Sequence, residues 1–425
     1  MESREGNRVQ YSGAMVIAKA LGRNRGWRPI VAAREPNARY DVVVIGGGAH
    51  GLAVAHYLAA RHGITNVAVL EAGWIGSGNT ARNTAIVRSD YLLDASFRLK
   101  HFALGLWEGL AQELNFNVMY SPRGYVDLAH SDGELEHMTL RANAMVLRGA
   151  EAKVLDRAAL QARVPCLELD APSRYPISGA LVQEKGGVVR HDAVAWGFAR
   201  QASRQGVDIF QNCPVEGFEI AAGRLQAVLT PKGRIACGQA VISVAGQSAV
   251  LAGHAGFELP LTPVNVQACV TEPVKPVLDC VINYNAGLSY VSQTDKGEFV
   301  LGGATDGYGS QARRGSFARL EDVLARAAQM FPFLSRLRLM RHWSGTADMT
   351  MDGNAIIGET PVAGLMINAG WGYAGFKATP AVGWTLAERL ATGKSPDLLL
   401  PFALERFATG ALIDDAGIGP YPWLH

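Results

Sequence analysis

The sequence predicts an α/β chain with α+β material. A parallel-sheet domain, discontinuous along the chain, is interrupted by an antiparallel-sheet domain. Three observations carry this expectation. The β-branched run Tyr40-Asp41-Val42-Val43-Val44-Ile45 leads through a glycine-rich turn into a helical stretch ending near His62. Parallel βαβ pieces at 40–71, near 185–246 and at 365–392 are separated by other material. Between the last two, residues 264–304 alternate apolar and polar positions as antiparallel strands do. The expected division is an N-terminal arm at 1–39, a nucleotide-binding domain at 40–110, 175–260 and 340–425, and a second, substrate-binding domain at 111–174 and 261–339.

Taken in order, the first strand and helix are followed by a second strand, Val67-Ala68-Val69-Leu70, ending in Glu71. Residues 178–190 read as strands and 192–204 as an amphipathic helix; 207–246 read as short strands with a turn near Ala222-Gly223. Antiparallel strands are expected from Asn265 to Val270, Leu288 to Ser292 and Glu298 to Leu301, then a helix over 318–336. A strand from Leu365 to Ala369, a glycine-rich turn and a helix near 379–392 close the chain.

Composition narrows the function classes. Of 425 residues, 48% are hydrophobic and 18% charged, which places the chain among globular proteins. A formal charge of +2 leaves no electrostatic footprint for nucleic acid. Cys166, Cys213, Cys237, Cys269 and Cys280 are scattered without CxxC spacing, so neither a metal site nor a disulfide framework is expected, and a cytoplasmic setting is. No apolar run is long enough for a membrane span. Residues 1–39 are rich in arginine, but Glu2, Glu5 and Glu35 do not suit a transit segment. Trp27 and Pro29 point to an ordered arm that packs on something, such as a partner chain.

Gly46, Gly48 and Gly51 form GxGxxG between strand and helix, with the acidic Glu71 twenty positions after Gly51. Gly46 permits the tight turn, Gly48 lets the backbone reach a pyrophosphate, and Gly51 lets helix and strand pack closely. Ala49 and His50 open the helix, whose N–H groups suit phosphate. Glu71 is placed to accept hydrogen bonds from an adenosine ribose. This is a Rossmann-like unit, and the fingerprint alone fits NAD or FAD. The small, polar loop Gly76-Ser77-Gly78-Asn79-Thr80-Ala81-Arg82-Asn83-Thr84 favours an extended FAD, as does the late loop from Asn368 to Lys377, which aims a helix N-terminus at a flavin edge. Non-covalent FAD is the expected cofactor.

Several stretches together resemble the amino-acid oxidase superfamily, and within it the β subunits of heterotetrameric sarcosine oxidases. They are Asn79 to Ser89, Gly186 to Trp196, Gly375 to Pro380, Pro401 to Phe407 and Tyr11-Ser12-Gly13, so the resemblance spans almost the whole chain. It implies a hetero-oligomer with a large α subunit and two small subunits. It also implies oxidation of a secondary (N-methyl) amino acid such as sarcosine to an imine, hydride going to FAD and electrons on to a covalent FMN. Within the matching motif His191 would carry that FMN, and Arg190 would stabilise the flavin's negative charge. A histidine capping a helix start is the alternative reading of the same residue.

Arg88 and Lys377 match the family's substrate-carboxylate clamp, one as a two-pronged donor and the other as a point charge. Thr80, Arg82, Asn83, Thr84, Ile86, Val215, Gly246, Gly370, Gly372 and Tyr373 complete the expected cofactor site. Tyr373-Ala374 departs from the family's Thr-Gly pattern and crowds the pocket, which leaves sarcosine or a larger N-methyl amino acid such as N-methylglutamate as substrate. His50 is read either as a pyrophosphate neighbour or as a helix-surface residue. A single-chain, FAD-only amino-acid oxidase is the competing function.

Overall fold

The computed structural model describes residues 13–22, 29–31, 34–170, 172–173, 175–284 and 289–413. Trp27, the Tyr11-Ser12 pair and Leu288 lie outside them, whereas Pro29 is described and exposed.

Two eight-stranded sheets organise the chain. The first runs in the order Ile356–Glu359, Leu365–Ala369, Gly233–Ile242, Arg39–Ile45, Val67–Leu70, Asp208–Phe210, with Arg224–Thr230 and then Gly217–Ala221 branching from Gly233–Ile242. Its four central strands pair in parallel. Val67–Leu70 is buried throughout, as an unbroken apolar run in a sheet covered on both faces must be. Helix Ala49–His62 ends on Gly63, left-handed at φ 68°. It packs against helix Thr379–Thr392, where a side chain on Gly383 would come within 2.5 Å of Ala53 Cβ. That contact is closed to anything larger than glycine, and it fixes the late flavin loop over the first glycine turn.

The second sheet runs Leu339–Met349, Thr262–Pro273, Glu298–Gly309, Ser289–Gln293, Val281–Tyr284, Tyr125–Ala129, Gly179–Gln183, Lys153–Asp156. It is antiparallel except where Val281–Tyr284 pairs in parallel with Tyr125–Ala129. Helix Phe317–Met330 covers it, with Ser316 Oγ accepting from Arg319 N at 3.4 Å.

Two strands cross the expected domain boundaries. Gly179–Gln183 and Leu339–Met349 fall in stretches assigned to the nucleotide domain, yet both are hydrogen-bonded into the second sheet. Gly179–Gln183 is buried along its whole length, so it lacks the alternation that would have tied it to a half-exposed sheet. Leu339–Met349 carries the connection between the sheets: its start is exposed, and its end, Ala347 to Met349, is buried beside the late glycine loop.

A short ribbon matters more than its size suggests. Ile86–Val87 pairs with Gly187–Val188, and Val189 N donates to Ala85 O at 3.1 Å. The ribbon lays the Gly187-to-His191 segment along the Asn83-to-Arg88 loop. Gly187 is required there, because a Cβ would sit 2.0 Å from Ser121 O.

Candidate active site

The nucleotide end is built from backbone. Gly46 holds φ 111°, and a Cβ on it would stand 2.3 Å from Ser243 O. A Cβ on Gly51 would lie 2.1 Å from Gly46 O, so strand and helix meet only over glycine. The first turn of the helix receives no side-chain cap from Gly48, while Thr80 Oγ1 accepts from Ala49 N at 3.0 Å. Glu71 accepts from Gly47 N and Gly73 N, both at 2.8 Å, which anchors its carboxylate beside the turn. Val215 lies further out in the fold, packed on the core cluster that contains Leu70 and Phe210.

The loop after Glu71 folds on itself and on the second sheet. Asn79 Nδ2 donates to Thr346 O at 2.5 Å and its Oδ1 accepts from Thr346 N at 3.2 Å, a two-point clasp on the connecting strand. Arg82 gives its guanidinium to the carbonyls of Ser77 and Gly78. Asn83 Oδ1 accepts from Ala85 N at 2.6 Å, supporting Ala85 at φ 58°. Across the gap, a Cβ on Gly246 would reach within 2.6 Å of Thr346 Cγ2.

His50 is not a helix-surface residue. Its Nδ1 accepts from Asn368 Nδ2 at 3.2 Å, since Asn368 Oδ1 is already taken by Trp371 Nε1 at 2.7 Å. Nε2–H therefore donates to Gly375 O at 2.8 Å. Burial lowers the His50 pKa, which agrees with a neutral ring. The ring ties the first helix to the loop that carries Lys377.

That loop is also held from the second sheet. Asp348 Oδ2 accepts from Gly370 N at 2.6 Å, and Asp348 O accepts from Gly372 N at 3.0 Å. Burial pushes the Asp348 carboxyl up to about 6, against the pull of these N–H groups. The N–H groups of Gly370 and Gly372 are thus both committed to Asp348.

Arg88 and Lys377 open on one cavity of about 730 Å³, together with Asn79, Arg82, Asn83, Thr84, Ile86, Gly372 and Tyr373. Lys377 is 5% exposed, and its Nζ donates to Tyr373 O at 3.1 Å. Burial, then the charges of Arg88 and Lys100, push its pKa well below the ordinary lysine value. Arg88 is paired with Asp90, and its Cζ lies 5.0 Å from the Tyr91 ring and 4.9 Å from the Tyr125 ring. Burial opposes its charge, but Asp90 more than compensates and holds the pKa above the ordinary range. Tyr373 lines the cavity while remaining 40% exposed, so it stands at the opening.

His191 starts helix His191–Arg204, beside the ribbon. Its Nδ1 is buried without a hydrogen-bond partner, and burial lowers its pKa. Arg190 is committed elsewhere: Nε and Nη2 donate to the Asp192 carboxylate at 2.8 and 3.2 Å. Its charge is therefore compensated at the helix start, in a pair that is about half exposed.

Residues 41–389 match the family described as "FAD dependent oxidoreductase". Sarcosine oxidase subunit beta from Rhizobium meliloti (strain 1021) is 48% identical over 98% of this chain and 100% of that protein. The protein of the same description from Rhodobacter capsulatus is 47% identical, covering 96% of this chain and 98% of the relative. The chain belongs to the FAD-dependent oxidoreductases, among the sarcosine oxidase β subunits. Its fold is shared with an L-proline dehydrogenase from P. horikoshii, at TM-score 0.83 and 26% identity over 89% of this chain and all of that one.

Within this FAD-dependent oxidoreductase the cavity draws on residues that the sequence motifs do not contain: Asp90, Tyr91, Tyr125, Tyr290, Arg141 and, behind Tyr91, Lys100. Lys100 carries its own signal. It falls on the buried stripe of helix Asp94–Glu113 with Phe97, Leu104 and Trp107, where a lysine is out of place unless it serves a site. Tyr290 is pushed up to about 12 by burial, and its hydroxyl bonds Thr84.

Proposed function

We propose that this subunit oxidises a secondary N-methyl amino acid, sarcosine or a larger relative, to the imine. The observation that carries the proposal is the meeting of two basic side chains, the half-buried Arg88 and the buried Lys377, in one cavity walled by both flavin loops. Bound non-covalently along Gly46 to Gly51, Glu71 and Asn79 to Ile86, FAD supplies the hydride acceptor. The glycine contacts described above fit such a group, since the tight turn that brings backbone N–H groups to a pyrophosphate closes only with glycine at 46 and 51.

Arg88 and Lys377 receive the substrate carboxylate. Because Arg88 keeps its charge and Lys377 is driven toward the neutral amine, carboxylate binding draws a proton onto Lys377. The same positive surroundings favour the neutral form of the substrate amine, which is the form able to lose hydride. Trp107 Nε1 donates to Lys377 O at 2.8 Å and keeps the lysine backbone in place. Tyr373 at the opening limits the size of the N-substituted side chain.

We infer that His191 carries a covalent FMN as a second redox group. Its neutral imidazole, with Nδ1 buried and unpartnered, suits nucleophilic attachment. The relatives' description as a β subunit supports assembly with other subunits; a large α chain, two small subunits and a cytoplasmic setting complete the proposal. Among the described residues no helix is long and apolar enough to cross a membrane.

Anaerobic addition of sarcosine or N-methylglutamate to the purified complex tests the reaction, with bleaching of the bound flavin expected. Acid precipitation tests the second group: FMN stays with wild-type protein and is absent from His191→Asn. Complete release of all flavin from the wild type favours the FAD-only reading instead.

A further inference from the structure

Arg88 is not an isolated cation. One Nη donates to Asp90 Oδ1, and the guanidinium lies against Tyr91 and Tyr125. The Asp90 side chain is 0% exposed, and its Oδ2 has no hydrogen-bond partner. Holding a buried carboxylate with an unused oxygen is costly, so its persistence beside the clamp calls for a role. The surrounding charge is largely positive. Lys100 Nζ lies 3.8 Å from the Tyr91 ring, Lys377 faces the same cavity, and Arg141 lines it while paired with Asp127. Asp90 and Glu134 are the carboxylates among the cavity's lining residues, and Asp90 is the one bonded to Arg88.

We propose that Asp90 is a positioning residue whose charge loosens the grip of Arg88 and Lys377 on the substrate carboxylate and offsets the positive charge that grows on the substrate C=N bond as hydride leaves. This rests on the clamp reading given above. With its side chain closed to solvent and bonded to Arg88, Asp90 acts on the substrate through that guanidinium. An anion beside Arg88 competes with the substrate's carboxylate for the same guanidinium. It also lowers the energy of the iminium relative to the amine. Affinity and rate are therefore predicted to move in opposite directions when the charge is removed, which loss of packing alone does not produce.

The test uses the FAD-loaded protein, with acetate as the probe of the clamp and flavin absorbance as the readout. Asp90→Asn retains an oxygen to accept from Arg88 but removes the charge. At a pH low enough that Lys377 is already protonated, acetate is expected to bind roughly tenfold more tightly, while the limiting rate of anaerobic flavin reduction falls roughly tenfold. Asp90→Ala, which removes the anchor as well, is expected to bind acetate more weakly than Asp90→Asn. If Asp90→Asn does not accumulate, Asp90→Ser gives the same readout, since water can take the vacated acceptor position. Acetate affinity that is unchanged or reduced in the neutral variant overturns the proposal. Lys377→Met separates the two levels of inference: full turnover in that variant removes the clamp itself. A crippled Lys377→Met alongside an Asp90→Asn without tighter acetate binding overturns the Asp90 role alone.

Discussion

The two ends of the cofactor site are built on opposite principles. At the nucleotide end, Gly46, Gly48, Gly51 and Glu71 come from one continuous βαβ unit, and the working groups are mostly backbone. At the substrate end, Arg88, Lys100, Tyr125 and Lys377 come from separate elements of the fold, and the working groups are polar and basic side chains, buried or half-buried. The first end depends on missing side-chain atoms, the second on mutual electrostatics. A defect at the first should cost the cofactor; one at the second should spare the cofactor and cost the reaction.

Gly51→Val breaks the comparison most severely. Its side chain has nowhere to go with Gly46 O at 2.1 Å from the Cβ position, so the purified protein should lose its FAD absorbance altogether. Lys377→Met should instead keep full FAD content while kcat/KM falls by roughly a hundredfold, the scale of losing one partner of a buried charge pair. Steady-state kinetics with flavin quantitation separates the two.

A smaller effect sharpens the electrostatic half. Because the free site lowers the Lys377 pKa, an anion binds together with a proton above that pKa. Acetate affinity should fall as pH rises, approaching about tenfold per pH unit, and Lys377→Met should flatten the profile. Titration of the flavin spectrum with acetate across the pH range measures this.

Asp348 supplies the smallest expected effect, and it acts on stability. Its carboxyl rises from 3.8 to about 6 on folding, so between these values the native chain holds more protons than the unfolded one. On this account stability is greatest below the lower value and declines as pH passes through the higher. Asp348→Asn retains an acceptor for Gly370 N–H without the buried charge. It should flatten the melting-temperature profile over this window, with a gain at neutral pH no larger than about 3 kcal/mol.

The contrast between the ends also explains what could be read from the chain. The glycine fingerprint was legible because its residues are neighbours in sequence and each glycine answers a local steric demand. Arg88 and Lys377 were reachable only through resemblance, since nothing local marks either as facing a cavity. Asp90 and Tyr125 were not reachable, because their meaning arises only when the second sheet brings Tyr125 against Arg88. The sheet that Gly179–Gln183 joins is illegible for the same reason: a largely apolar run says that it is buried, not against what. His50 stands between two readings in sequence, pyrophosphate neighbour and helix surface, and only the long-range bonds to Asn368 and Gly375 show it as a brace.

The central claim is that the substrate is held by its carboxylate between Arg88 and Lys377. It is tested most directly by mixing the wild-type protein anaerobically with sarcosine and, separately, with N-methylethylamine, a secondary amine of similar size without the carboxylate. The account predicts rapid bleaching of the flavin by sarcosine and reduction at least roughly a hundredfold slower by the amine at equal concentration. Equal rates with the two compounds would contradict it.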